Sequence, residues 1–473
     1  MRVVSNRFVR ALASVAILWL ASLAGNRRGP DCVKCAMRPR IALALSAAAL
    51  TVAVPLAGGL TAPASAAAAR PGAAPNCPPP AARHAWAVSV SVTGRVRWRT
   101  PLPVRGNAVG SAIAPVTAGP VAVLAQDGTV YGVRLADGRR LWAWQGGQLV
   151  YGMWRSGGLV VVLTDQVSDH ARLTALATAT GAVRWTLRLP GQGLYGGQAA
   201  TADGGLAITR ADGTLQVVNL ADGAVRWARR TGTMPVPAVA GGLVLAGVNG
   251  TVAAFDARTG APRWVVRGVP GQPSLQTAGG LVLVTSAAQG PGLPTALTAI
   301  APSAGRVAWR FDPGSPVTVL AAGPAGLTVA TYAADPRLYL LDPATGRPRW
   351  HAHAAAGLGQ PPVVTGADVI VIEGTSQLRL TDRDATDGRV RWQHPLGLVE
   401  AMGPVLAEPG LTVTLTNPGR PGQPSYLAAY RVAGGGPAWR VVMPAYVPGP
   451  PAVLPGGAGL LVQPADPGNA CEA

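Results

Sequence analysis

The sequence predicts an all-β protein: a single β-propeller of about eight four-stranded blades, carried behind an export signal. Three observations lead there. A short motif closing on Trp recurs nine times, at intervals of 37 to 47 residues, the length of one four-stranded blade. Each interval holds brief β-rich runs separated by pairs such as Asn-Gly, Asp-Gly or Gly-Gly, which accept the positive φ of hairpin turns. After residue 70 no long stretch keeps the 3.6-residue apolar period of a helix. Composition agrees: 49% of residues are apolar, with Gly at 61 and Pro at 44, enough to fill a large core and unlike a disordered chain.

In order along the chain, residues 1–66 read as leader and signal peptide, 67–83 as a Pro/Ala-rich linker, 84–463 as the propeller and 464–473 as a tail. Apolar residues run from Ala11 to Gly25 and again from Ile41 to about Leu60. The second run follows the basic Met37-Arg-Pro-Arg40 and precedes Ala64-Ser-Ala66, the three parts of a secretory signal cleaved before Ala67. A start at Met37 would leave residues 1–36 untranslated; the other reading is a long leader with a membrane segment at 11–25, a stretch short of the ~20 residues that span a bilayer. Cys32-Val-Lys-Cys35 has the spacing of half a zinc site or a redox pair, but no second pair follows. Cleavage leaves Cys77 and Cys471, one near each end of the mature chain, a candidate disulfide in an oxidising compartment. Cys77 follows Ala74-Pro-Asn76 rather than a lipid-attachment pattern. A soluble exported protein is expected, with no stable membrane span in the mature form.

The repeat opens as Thr93-Gly-Arg-Val-Arg-Trp98, and its later copies close on Trp142, Trp185, Trp227, Trp264, Trp309, Trp350, Trp392 and Trp439. In the fourth interval Gly241–Val248, the Asn249-Gly250 turn, Thr251–Asp256 and the Trp264 strand follow one another as a meander. In Arg95-Val-Arg-Trp-Arg99 a period of two puts Val96 and Trp98 on one face and the three Arg on the other. Trp then packs between neighbouring blades as their main large aromatic. Arg on the outermost strand faces water and keeps the sheet edge from pairing. Nine Trp bound eight intervals, so eight blades are expected. The ends carry fragments, however: His84 to Trp98 reads as the last two strands of a blade, and Pro451 to Gln463 as the first two. Joined, they would make a ninth, composite blade.

Phe255-Asp-Ala-Arg-Thr-Gly-Ala-Pro-Arg-Trp264 and Leu341-Asp-Pro-Ala-Thr-Gly-Arg-Pro-Arg-Trp350 carry a further likeness. Their pattern resembles the repeat of pyrroloquinoline-quinone-like (PQQ-like) propellers, and the resemblance covers residues 84–463. The Asp four before Gly stands at Asp256, Asp342 and Asp384, is Asn219 in one repeat, and is lost elsewhere. The resemblance implies one of two kinds of protein. Quinone-dependent dehydrogenases often carry adjacent cysteines over the cofactor and hold calcium beside a catalytic Asp; this chain has no Cys-Cys pair and no Cys-x-x-Cys-His. The other kind is non-catalytic and includes the scaffold subunit of the outer-membrane β-barrel assembly machine, which implies protein partners. The second kind is expected here: no enzyme, no catalytic residue, no cofactor or metal, and a protein or glycan ligand in the cell envelope or extracellular space. A degenerate quinone- or metal-dependent dehydrogenase is the alternative.

The formal charge of +19 raises nucleic acid as a partner. Eight basic residues against Asp31 alone lie in residues 1–66, and much of the remainder is Arg placed just before Trp, at Arg97, Arg184, Arg226, Arg263, Arg349 and Arg391. Charge spread around a ring argues against a nucleic-acid groove. Asp382-Arg-Asp384-Ala-Thr-Asp387-Gly388 gathers three carboxylates about a turn, without the alternating oxygens and closing Glu of an EF-hand. His351-Ala-His353 sets two imidazoles on one strand face, with His394 similarly placed one blade on, short of the convergence zinc requires. No Gly-rich phosphate loop or Gly-x-Ser-x-Gly elbow occurs, which leaves nucleotide and hydrolase readings without support.

Overall fold

The computed structural model describes residues 84–464, except 104–112, 127, 148, 166–170, 190–197, 201–202, 232–234, 249, 270–272, 287–295, 332–334, 355–359, 376, 398, 409, 419–423, 450 and 456–458. The leader, Cys32, Cys35, Cys77 and Cys471 fall outside these residues. Among them there is no α-helix, and the strands form nine four-stranded antiparallel sheets. Eight blades are continuous in sequence: blade 1 spans 116–145, blade 2 150–188, blade 3 198–230, blade 4 238–267, blade 5 273–311, blade 6 317–353, blade 7 363–397 and blade 8 399–442. Blade 9 is composite, ordered Ala452–Val453, Leu460–Val462, His84–Val90 and Val96–Pro103. Its two halves join in the register Val88 with Val462, Ser89 with Leu461 and Val90 with Leu460. The ring thus has nine blades, the larger of the two counts open from sequence, because the terminal fragments combine instead of overlapping another blade.

Burial follows position in the blade. The second strand of blade 1, Val121–Gln126, is buried along its whole length, whereas its fourth, Arg140–Gln145, is largely exposed. The core lies between blades, where facing aliphatic rows pack. In the seam between blades 3 and 4, Val217 and Trp227 meet Val244 and Ala246. Each repeat Trp also reaches across a seam. Its indole N–H donates to a backbone carbonyl in the next blade's last turn, at 2.6 to 3.1 Å in all nine cases. The ninth of these, Trp439 to the carbonyl of Val92, closes the ring onto the composite blade. The same indole lies over the turn glycine of the next blade. At Gly388, with φ of 74°, a Cβ would come within 2.7 Å of the Trp350 ring. Glycine is needed there for both the left-handed backbone and the close approach.

One local feature departs from the sequence expectation. In every blade the register slips by one residue between the third and fourth strands, immediately before Trp. In blade 9 Trp98 opposes Ser89 and Val96 opposes Val90, which leaves Arg97 unpaired as a bulge. A bulge breaks the period of two and re-aims the side chains beside it. Val96 accordingly packs with blade 8, while Trp98 packs with blade 1, so the two do not share a face.

Candidate functional site

The bulge gives the Arg before Trp a task that alternation does not show. In three repeats the Arg freed from the ladder turns back to the Asp that opens the same turn: Arg263 meets Asp256 at 2.7 Å, Arg349 meets Asp342 at 3.0 Å and Arg391 meets Asp384 at 2.8 Å. The same Asp accepts from the turn's Thr, as Asp256 does from Thr259 and Asp342 from Thr345, each at 3.0 Å. These bonds hold the carboxyls of Asp256, Asp342 and Asp384 below their ordinary range. Asp387 accepts from the backbone of Arg389 in its own turn. The Asp382–Asp387 segment is therefore mostly a turn clasp, and no trio of Asp, Glu, His or Cys able to hold a metal occurs among the described residues. His351 and His353 lie exposed on blade 6, His353 at 2.9 Å from Asp335. His394 lies apart from them on blade 7, against Tyr430 of blade 8.

Asp382 is the exception in that segment, and it leads to a seam unlike the others. It stands on the third strand of blade 7, Leu378–Asp384, opposite Ile370 on one side and Trp392 on the other. Residues directly opposed in an antiparallel sheet share a face. Ile370 packs against Ala401, Ala428 and Tyr430, so this face looks toward blade 8. In the other eight blades the residue opposite the repeat Trp is Gly, Ala, Ser, Val or Leu. Blade 8 answers with Thr412 and Thr414 on its second strand, opposite Tyr430 and Ala428 and hence on the face toward blade 7. The equivalent positions of blade 7 are Val369 and Val371. Asp382, Thr412 and Thr414 are each fully buried. Both Asp382 oxygens and the Thr412 hydroxyl have no hydrogen-bond partner among the described residues. Burial, with Asp368 and Asp384 close by, raises the Asp382 carboxyl to about 7. Opposite this, on the face toward blade 6, Arg383 and Glu373 form a buried ion pair at 3.3 Å, and Arg383 also donates to the carbonyl of Gly388.

A cavity of about 490 Å³ opens along the outer part of the same seam. Its walls are His394 and Leu396 of blade 7 and Thr416, Tyr430 and Arg440 of blade 8. The imidazole of His394 lies 4.5 Å from the Tyr430 ring, centroid to centroid. The Arg440 guanidinium sits 3.3 Å above the Tyr426 ring. Burial lowers the His394 pKa, so the ring is neutral at pH 7, and raises that of Tyr430. The lining offers aromatic faces, hydrogen-bonding groups and one exposed cation, a set that receives rings and polar groups of a ligand. A second cavity of about 440 Å³, by Asp203, Asp256, Arg258 and Arg263, is walled by charges already paired in the clasps. Sequence reasoning marked His394 and Asp382 for other reasons and passed over Thr412 and Thr414. The available signal was the alternation Leu411-Thr-Val-Thr-Leu-Thr416, where the other blades place Ala, Val, Leu or Ile at the positions of Thr412 and Thr414.

Comparison with known proteins places these observations. Residues 147–267 and 295–444 match a family model described as outer membrane protein assembly factor BamB. The serine/threonine-protein kinase AfsK of Streptomyces griseus is 30% identical over 158 residues, 31% of this chain and 20% of the kinase. The chain thus spans about a fifth of that relative's length. Among solved structures, BamB from Moraxella catarrhalis is 19% identical, with a TM-score of 0.44 over 70% of this chain and 95% of that one. A europium-containing methanol dehydrogenase is 13% identical, with a TM-score of 0.45 over 67% and 82%. With more than half its residues in the family match and a ring of nine repeat-built blades, the chain belongs to the PQQ-like propeller family represented by outer membrane protein assembly factor BamB.

Proposed function

We propose that this chain is an exported, non-enzymatic scaffold that holds a protein or glycan partner in the cell envelope or extracellular space, with the seam between blades 7 and 8 as its contact site. The observation that carries this is the cavity of His394, Tyr430 and Arg440, set in the seam where facing aliphatic rows give way to polar residues. The family's description as an assembly factor supports a binding role. Fold alone does not fix function, so the test addresses the site. A photo-crosslinking amino acid placed at the exposed Pro437, beside the cavity, should capture a discrete partner from the native envelope fraction. The same group at exposed Val225 on blade 3 should not. Equal labelling from both positions, or dye-linked alcohol oxidation by purified protein supplied with quinone and calcium, would overturn the reading. The export half of the proposal expects a mature amino terminus near Ala67 and a bridge between Cys77 and Cys471. Non-reducing peptide mapping of the exported protein checks both.

A further inference from the structure

We propose that Asp382 is a proton-operated latch for the seam between blades 7 and 8: neutral while the blades are packed, it drives them apart when it ionises, toward the cavity of His394, Tyr430 and Arg440. The inference deepens the binding role proposed above and rests on it for its use. The physical case is local. A carboxylate with no exposure and no hydrogen-bond partner is strongly disfavoured, whereas the neutral acid is tolerated. The groups facing it do not compensate. On its own sheet these are Asp368 and Asp384, both engaged by Arg391, and His394, whose pKa burial lowers. From blade 8 they are Tyr430 and Arg440 with the uncharged Thr412 and Thr414. Ionisation would add a third negative charge to a face where Arg391 already serves two. Opening the seam admits water to the new charge and relieves that repulsion.

The sign follows from linkage. The closed form holds a proton that an opened, solvated Asp releases above its ordinary value of 3.8. Seam closure is therefore favoured in acid, weakens as pH rises from about 4 to about 7, and is constant above that. The opening constant changes by at most about tenfold per pH unit within the window. Amide hydrogen exchange on the full chain, corrected for the intrinsic pH dependence, reads it directly. Protection in strands Leu378–Asp384, Val390–Gly397 and Leu411–Pro418 should fall across the window, while blades 3 and 4 hold theirs. Asp382→Asn should abolish the loss of protection with rising pH and leave only the opposite dependence of buried His394, whose protonation favours opening in acid, and His394→Gln should steepen the loss in the wild-type background. Uniform loss of protection around the ring, or a seam insensitive to pH, would overturn the latch. Should Asp382→Asn fail to fold, carboxyl ¹³C NMR of Asp-labelled wild-type protein decides the matter: one carboxyl must titrate near neutrality. Because these readouts need no partner, the latch can fail while crosslinking at Pro437 succeeds, and the reverse.

Discussion

At the scale of the residue, the unit that builds this ring is a contact of three parts: an indole, the glycine under it and the carbonyl it donates to. Gly388→Ala should be far more harmful than Gly366→Ala, since a Cβ at 388 meets the Trp350 ring and a left-handed backbone, whereas one at 366 meets nothing within 4 Å. The strain of a non-glycine residue there alone costs about 1–3 kcal/mol, and urea unfolding midpoints of the two variants will rank them. Trp350→Ala should cost about 3–5 kcal/mol, as for other buried large aromatics. The turn clasps add a pH dependence of opposite sign to that of Asp382. Asp256, Asp342 and Asp384 have lowered pKa values, so what they contribute is present above the unfolded value of 3.8 and is lost as pH falls below it. Replacing all three with Asn should flatten the acid limb of a stability profile measured from pH 2 to 7.

At the scale of the element, blade 7 is the one whose sequence breaks the pattern on both faces. Arg383 and Glu373 lie in the seam toward blade 6, where an ion pair survives burial only as a pair. Removing one partner should cost about 3–5 kcal/mol, while replacing both with aliphatic residues should be close to neutral. A double-mutant cycle on Glu373→Leu and Arg383→Met measures the difference. The blades themselves were legible in the sequence because Trp, Gly and the hairpin pairs each answer a local demand: one ring to bury, one left-handed turn, one tight reversal. The bulge at Arg97 and its eight counterparts was not legible. A period of two describes a continuous ladder, and nothing in Arg95-Val-Arg-Trp-Arg99 announces the residue that leaves it. Thr412 and Thr414 were missed for a related reason. Their oddity is relative to the same position in eight other blades, and becomes visible only once register aligns them.

At the scale of the molecule, the count of nine rather than eight turns on the pairing of Val88–Val90 with Leu460–Val462. Removing residues 451–473 should leave blade 9 with only its two outer strands and Trp439 without a properly supported turn to dock on. An array whose units contact only neighbours then frays from its free ends. Far-UV circular dichroism and tryptophan fluorescence should follow one transition in the full chain and separate in the truncated one. The composite blade also sets a clock. The strand that completes the hairpin of His84–Val90 and Val96–Pro103 is made after all eight other blades, so during elongation the growing ring is an open arc with a bare sheet edge at His84–Val90. No amount of local folding can finish it early. Its most separated contacts are the ones that end the process, and a chaperone that covered this one edge would hold the whole molecule in an unfinished, threadable state until Leu460–Val462 arrived.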